Sequence, residues 1–228
     1  VDHNGEPWLE KQKEIAAGYV TLEQTKETVV EQIANLSQVS VVPNCDEYAI
    51  EYLPLSELFD TIKGKSKYTK KYGNLHSGPY PVYSASSQGT LTHLDTYDYD
   101  GRYMTWSTNG FAGTILILNG KFSINGDRGI LVPKNGRQDL DFDYMKFTLE
   151  PIFRELAKGR KGDNGEDEFT KLYPSMLSDI MVPIPVDGKG NISLLLQKEI
   201  AQKFISVQNS QKEIIEKLDI LISKKISI

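Results

Sequence analysis

One cysteine in 228 residues leaves no room for a disulfide framework or a thiolate zinc site. Cys45 sits beside Asp46 and Glu47, an electronegative setting that opposes thiolate formation. No apolar run approaches the roughly 18–20 residues that span a bilayer. The opening Val1-Asp2-His3-Asn4-Gly5 supplies neither the basic nor the apolar segment of a secretory signal. These absences place the chain in a reducing cytoplasm with no membrane partner. The opening also lacks an initiator Met, so we expect a piece of a longer chain.

Catalytic signatures are equally scarce. His3, His76 and His93 have no i,i+4 partner and no carboxylate at ligand spacing, so no metal is expected. There is no Gly-x-Ser-x-Gly elbow, no phosphate-cradling P-loop and no dinucleotide fingerprint, so no cofactor of its own is expected either. The acidic run Asp163 to Glu168 lacks the spacing of an EF-hand calcium loop. A nuclease would need a carboxylate cluster with a lysine at an apolar strand end, which nothing here supplies. The chain does not read as an enzyme.

What is present is a core-forming composition, 39% hydrophobic and 10% aromatic. At about 150 residues per domain, that is one good-sized domain with attachments, or two small domains. The net charge of −5 is unevenly spread: residues 1–59 hold three lysines against eleven acids. The average therefore hides a slightly basic remainder.

Three regions follow. Residues 1–40 form a helical arm: Pro7 suits a first turn, glutamates alternate with Lys and Gln, and Leu22, Val29, Ile33 and Leu36 make a narrow stripe. Gly18 is placed to break or kink it. Residues 41–190 are a mixed α/β domain, with strand signals at 80–84, 103–106, 113–118, 122–124 and 129–132. Asn119-Gly120, between Ile115-Leu116-Ile117-Leu118 and Lys121-Phe122-Ser123-Ile124, is the strongest hairpin signal. Residues 55–59 and 142–157 read as helix. Residues 191–228 return to helix, with Ser193 as N-cap. Ile200, Phe204, Val207, Gln211, Ile214, Leu218 and Leu221 fall at 4-3-4-3 spacing. That helix either packs on its own domain or forms a coiled coil, with the 22–36 stripe or with the same helix of another copy.

Two basic loops stand out: Lys63, Lys65, Lys67, Lys70 and Lys71 interleaved with Tyr68 and Tyr72, and Lys158-Gly159-Arg160-Lys161 closed by Lys171. Either alone is ordinarily a solvated face. Two of them bracketing a strand region rich in Tyr, Ser and Asn point toward nucleic acid.

The stretch Gly64 to Tyr72 followed by Gly78-Pro79-Tyr80-Pro81-Val82-Tyr83-Ser84-Ala85 resembles the opening of a target-recognition domain of type I restriction-modification specificity subunits. Tyr97 to Trp106, Thr108 to Thr114, Gly120 to Asn125 and Gly129 to Leu131 continue in register. Leu177 to Pro185 and Gln197 to Ala201 resemble the end of that domain and the start of its spacer helix. The resemblance implies an α/β recognition domain with short, irregular strands, flanked by long helices that form a coiled-coil-like spacer. It implies a non-catalytic module that reads one half of a split double-stranded DNA target. Its helices would dock an adenine-N6 methyltransferase subunit or domain, which binds the S-adenosylmethionine, and a restriction subunit would join.

On this reading Lys63, Lys65, Lys67, Tyr68, Lys70 and Lys71 hold the DNA backbone together with Arg160, Lys161 and Lys171. Ser84, Ser86, Ser87 and Gln88, then Thr108 and Asn109, then Asn125 and Arg128, reach base edges. Turn chemistry is the rival role for Gln88 and Asn109, and an ion pair with Asp127 or Asp100 for Arg128. A homodimer through the helices, and an assembly module whose basic loops are merely solvated, remain open alternatives.

Overall fold

The computed structural model describes residues 8–38, 48–161 and 167–223. Two compact units emerge: residues 1–42 with 203–228, and residues 43–202.

In chain order the strands are β1 (Ile50–Pro54), β2 (Phe59–Lys63), β3 (Tyr80–Tyr83), β4 (Thr92–Leu94), β5 (Tyr99–Asp100), β6 (Tyr103–Ser107) and β7 (Asn109–Gly110). They continue as β8 (Ile115–Leu118), β9 (Lys121–Ile124), β10 (Arg128–Pro133), β11 (Lys158–Lys161), β12 (Asp167–Lys171) and β13 (Met181–Pro185). The helices are α1 (Leu9–Gln38), α2 (Leu55–Leu58), α3 (Lys70–Leu75), α4 (Phe142–Leu156) and α5 (Leu194–Ser223).

The globular unit is built on an antiparallel sheet ordered β2-β10-β6-β8. A second sheet, β4-β3-β9-β5, contains the parallel pair β3–β9. Two smaller ladders, β1–β13 and β11-β12-β7, complete the strand set. Trp106 anchors the core: its indole nitrogen donates to Leu172 O at 3.0 Å, and Phe153 packs edge-on at 5.9 Å. α4 is capped by Asp141, whose carboxylate accepts from Tyr144 N at 2.9 Å, and Tyr144 OH donates to Pro183 O at 2.8 Å.

Three expectations are corrected here. Asn119-Gly120 turns the chain without making a hairpin: β8 joins β6 while β9 joins β3 and β5. A two-residue I′ turn needs positive φ at both positions, and only Gly120 has it, at 85°. The second basic run is a strand, β11, rather than a loop. Gly18 lies within an unbroken α1.

The two-helix unit carries matching stripes. Leu22, Lys26, Val29 and Ile33 are partly covered on α1, as are Gln211, Ile215, Leu218 and Ile222 on α5. Both run 4-3-4, the period of a coiled-coil seam. The expected α5 seam is thus shifted at two places. Val207 and Ile214 are each 49% exposed, and Ile215 takes the seam position instead. Ile200 and Phe204 are buried, whereas the Leu36 and Leu221 side chains lie outside the described residues. Ser193 caps α5, its hydroxyl accepting from Leu196 N at 3.3 Å.

Candidate nucleic-acid interface

One edge of the globular unit brings together four segments that are far apart in sequence. Lys63 ends β2 opposite Gly129 of β10, and Lys65 bridges to Asn125. Asn109 and Gly110 form β7, which pairs with Lys171 and Thr170 of β12. Backbone bonds tie the segments: Gly64 N donates to Arg128 O at 2.9 Å and Thr108 N to Asp127 O at 2.9 Å. The first basic run and the end of the second therefore meet around residues 108–110 and 125–128.

At the centre lies Asp127, half-buried. One carboxylate oxygen accepts from Asn109 Nδ2 at 2.6 Å, the other from Asn125 Nδ2 at 3.3 Å. Asp127 N donates to Asn125 Oδ1 at 3.0 Å, and Tyr173 OH to Asn109 Oδ1 at 3.5 Å. The Tyr173 ring also receives the Lys63 ammonium, 4.8 Å from its centroid. Both amides are thereby oriented, and Asn109 stays half-exposed with its orientation set.

Beside this cluster opens a cleft of about 410 Å³ lined by Ala85, Ser86, Ser87, Asn109, Gly110, Phe111 and Thr114. Phe111 is 58% exposed, with the Arg154 guanidinium 5.0 Å from its ring centre.

The expected contact residues divide by burial. Lys63, Lys67, Lys70, Lys71, Lys171, Ser86, Ser87 and Gln88 are exposed, and Ser84 is half-buried. Lys70 and Lys71 begin α3, capped by Thr69. Lys67 lies 5.5 Å from both the Tyr68 and Tyr72 rings. Lys65 is exposed but tied to Asp98, and this hydrogen bond raises its pKa. Arg160 and Lys161 sit on β11, with side chains outside the described residues.

Four expected contacts are interior, and each is corrected. Tyr68 is buried in a small cluster with Val82 and Leu94; its hydroxyl donates to Asp98 at 3.1 Å, and burial raises its pKa. Thr108 is fully buried, its hydroxyl donating to Gly126 O at 3.3 Å. Asn125 is spent on Asp127. Arg128 is fully buried and pairs with neither Asp127 nor Asp100: its guanidinium donates to Thr105 Oγ1 and to the carbonyls of residues 84–86. Ser86 is partly committed to turn chemistry, its hydroxyl accepting from Gln88 N at 3.0 Å and donating to Gln88 O at 2.7 Å.

Reading by residue type missed Asp127, Tyr173 and Phe111 as members of the edge. The Asn-Gly-Phe order after a strand was the available signal for Phe111. Nothing local marks Tyr173, which arrives through the β12–β7 ladder.

The sequence profile of the family described as type I restriction modification DNA specificity domain matches residues 49–227. S.MpnORF507P of Mycoplasma pneumoniae is 39% identical over 97 residues, 42% of this chain and 26% of that protein. The MpnII type I restriction enzyme specificity subunit of the same organism is 39% identical over 84 residues, 36% of this chain and 25% of its own length. The aligned part thus spans about a quarter of either relative. Among solved structures, the HsdS subunit of Thermoanaerobacter tengcongensis shares the fold at a TM-score of 0.54 and 16% identity, covering 93% of this chain and 52% of that one. A chain solved in a study of complex assembly in the type I R-M system gives 0.58 at 16% identity, covering 95% and 58%.

Proposed function

Because the chain belongs to the type I restriction modification DNA specificity domain family, we propose that it reads one half of a split DNA target without catalysing a reaction itself. Residues 41–190 are the recognition domain, and the helical segments 1–40 and 191–228 are the assembly surface. An adenine-N6 methyltransferase subunit or domain is the partner on the helices and supplies the S-adenosylmethionine site. A restriction subunit joins the same complex, which acts in the cytoplasm. Among the described residues no helix is long and apolar enough to cross a membrane.

The observation that carries the reading is the convergence of Lys63, Lys171 and the oriented Asn109 on one edge. Lysines beside an oriented amide are what backbone holding plus base-edge reading requires: charge for phosphates, a fixed donor and acceptor for a base. The second alternative, assembly without DNA reading, leaves this convergence without a purpose.

Methylome sequencing of cells with and without the chain tests the proposal. Loss or alteration of a bipartite N6-methyladenine motif is the expected result, and an unchanged methylome contradicts it.

A further inference from the structure

Arg128 is a charge buried at the root of the interface. It is fully buried, and among the described residues no carboxylate pairs with it. Desolvation lowers its pKa to about 10, which still leaves it protonated at neutral pH. A buried guanidinium ordinarily takes a carboxylate, because an unpaired charge in a poorly polarisable interior is costly. Here peptide dipoles replace the anion. Arg128 Nε donates to Ser84 O, one Nη to Ala85 O at 3.3 Å and Ser86 O at 3.0 Å, and the other Nη to Thr105 Oγ1 at 3.1 Å.

This pattern dictates what the loop shows on its other side. In a trans peptide the carbonyl of one residue and the N–H of the next point in opposite directions, and no described peptide is cis. With the carbonyls of 84, 85 and 86 drawn toward Arg128, the N–H groups of Ala85, Ser86 and Ser87 are directed away from it. None of the three donates to an acceptor among the described residues. Ser86 and Ser87 are exposed, and all three residues line the cleft facing Asn109 and Phe111. A cation on the carbonyl side polarises each peptide and strengthens the opposite N–H as a donor. Successive outward backbone N–H groups backed by positive charge suit an anion.

We propose that Arg128 is a positioning residue that turns the Ala85–Ser87 backbone into a clamp for a DNA phosphate. The inference rests on the reading of this face as DNA-binding. It reassigns Ser86 and Ser87 from base edges to the sugar–phosphate backbone. The phosphate then supplies the counter-charge that the interior withholds from Arg128, and the loop sets the register in which Asn109 and Gln88 meet bases.

The test is a salt titration of DNA binding by the full chain. It uses two 30-base-pair duplexes, one carrying the motif identified by methylome sequencing and one with that motif scrambled. Arg128→Gln removes the charge but endangers the fold, so the decisive pair changes the exposed loop. Ser87→Pro deletes the outward N–H while keeping all three carbonyl acceptors, and Ser87→Ala deletes only the hydroxyl. Ser87→Pro is expected to weaken both duplexes alike, by about tenfold, while Arg128→Gln, where it folds, also flattens the log–log salt slope by about one. Ser87→Ala keeps the wild-type affinity and slope. A folded Ser87→Pro chain with wild-type affinity overturns the clamp. So does a loss confined to the motif duplex, which would make the loop a base reader. Absence of salt-dependent binding by the wild-type chain overturns the DNA reading itself, a failure distinct from either.

Discussion

Asp127 is a carboxylate at the centre of an edge that otherwise presents lysine and amide. Its two oxygens are held by Asn109 and Asn125, so its charge serves to orient amides at some cost in repulsion toward phosphate. Asp127→Ala should raise affinity for unrelated duplex while reducing discrimination by about 1–3 kcal/mol, since Asn109 loses its anchor. Competition binding with matched and scrambled duplexes measures both effects. Glu150 makes a second residue-level case. Its carboxylate accepts from Ile115 N at 3.2 Å, yet burial raises its pKa. A raised native pKa means that the folded state holds more protons than the unfolded one between the ordinary carboxyl value, about 4.3, and the raised value. Stability therefore falls as pH rises through that window. Glu150→Gln should melt at a higher temperature than the wild type at pH 7, with the difference vanishing below about pH 4. At this scale residue type identified groups able to contact DNA, but not which of them face water. Thr108 and Arg128 have the right chemistry, and the sheet turns both inward.

At the scale of elements, β10 and β6 meet at a position with no spare volume. A Cβ on Gly129 would come within 2.3 Å of the Trp106 ring, which is held by Leu172 and Phe153. Gly129→Ala should cost about 1–3 kcal/mol through overpacking, read as a lower melting temperature. The seam of α5 supplies a paired prediction. Ile215→Ser, on the partly covered stripe, should lower stability by about 1 kcal/mol. Ile214→Ser, on the exposed side, should stay within about 0.5 kcal/mol. Thermal unfolding followed at 222 nm separates the two; equal effects would restore the original seam. The helices were legible because a 4-3 period persists over many turns. Adjacent isoleucines at 214 and 215 both satisfy such a period to within a residue, so the seam was not. β11-β12-β7 escaped for another reason: β7 is two residues long, and its partner lies 60 residues later in sequence.

Over the whole molecule, charge does not follow the division into units: residues 1–42 with 203–228 carry a net −2 and residues 43–202 a net −3. The acidic excess of residues 1–59 falls equally on either side of residue 42, and the lysines of 63–71 and Lys171 are a local basic edge within an acidic globular unit. A net charge of −5 is therefore compatible with a DNA-binding face, because phosphates are met locally and not by the average. We propose that recognition resides in the globular unit and assembly in the helices, and a segment swap separates the two. Residues 48–190 are replaced by the corresponding segment of a relative that directs methylation to a different motif, with both helices of this chain retained, and the methylome is sequenced. One half of the bipartite methylated motif is expected to change to that of the donor while methylation persists. Persistence of the original motif would place recognition outside the globular unit and overturn the proposal.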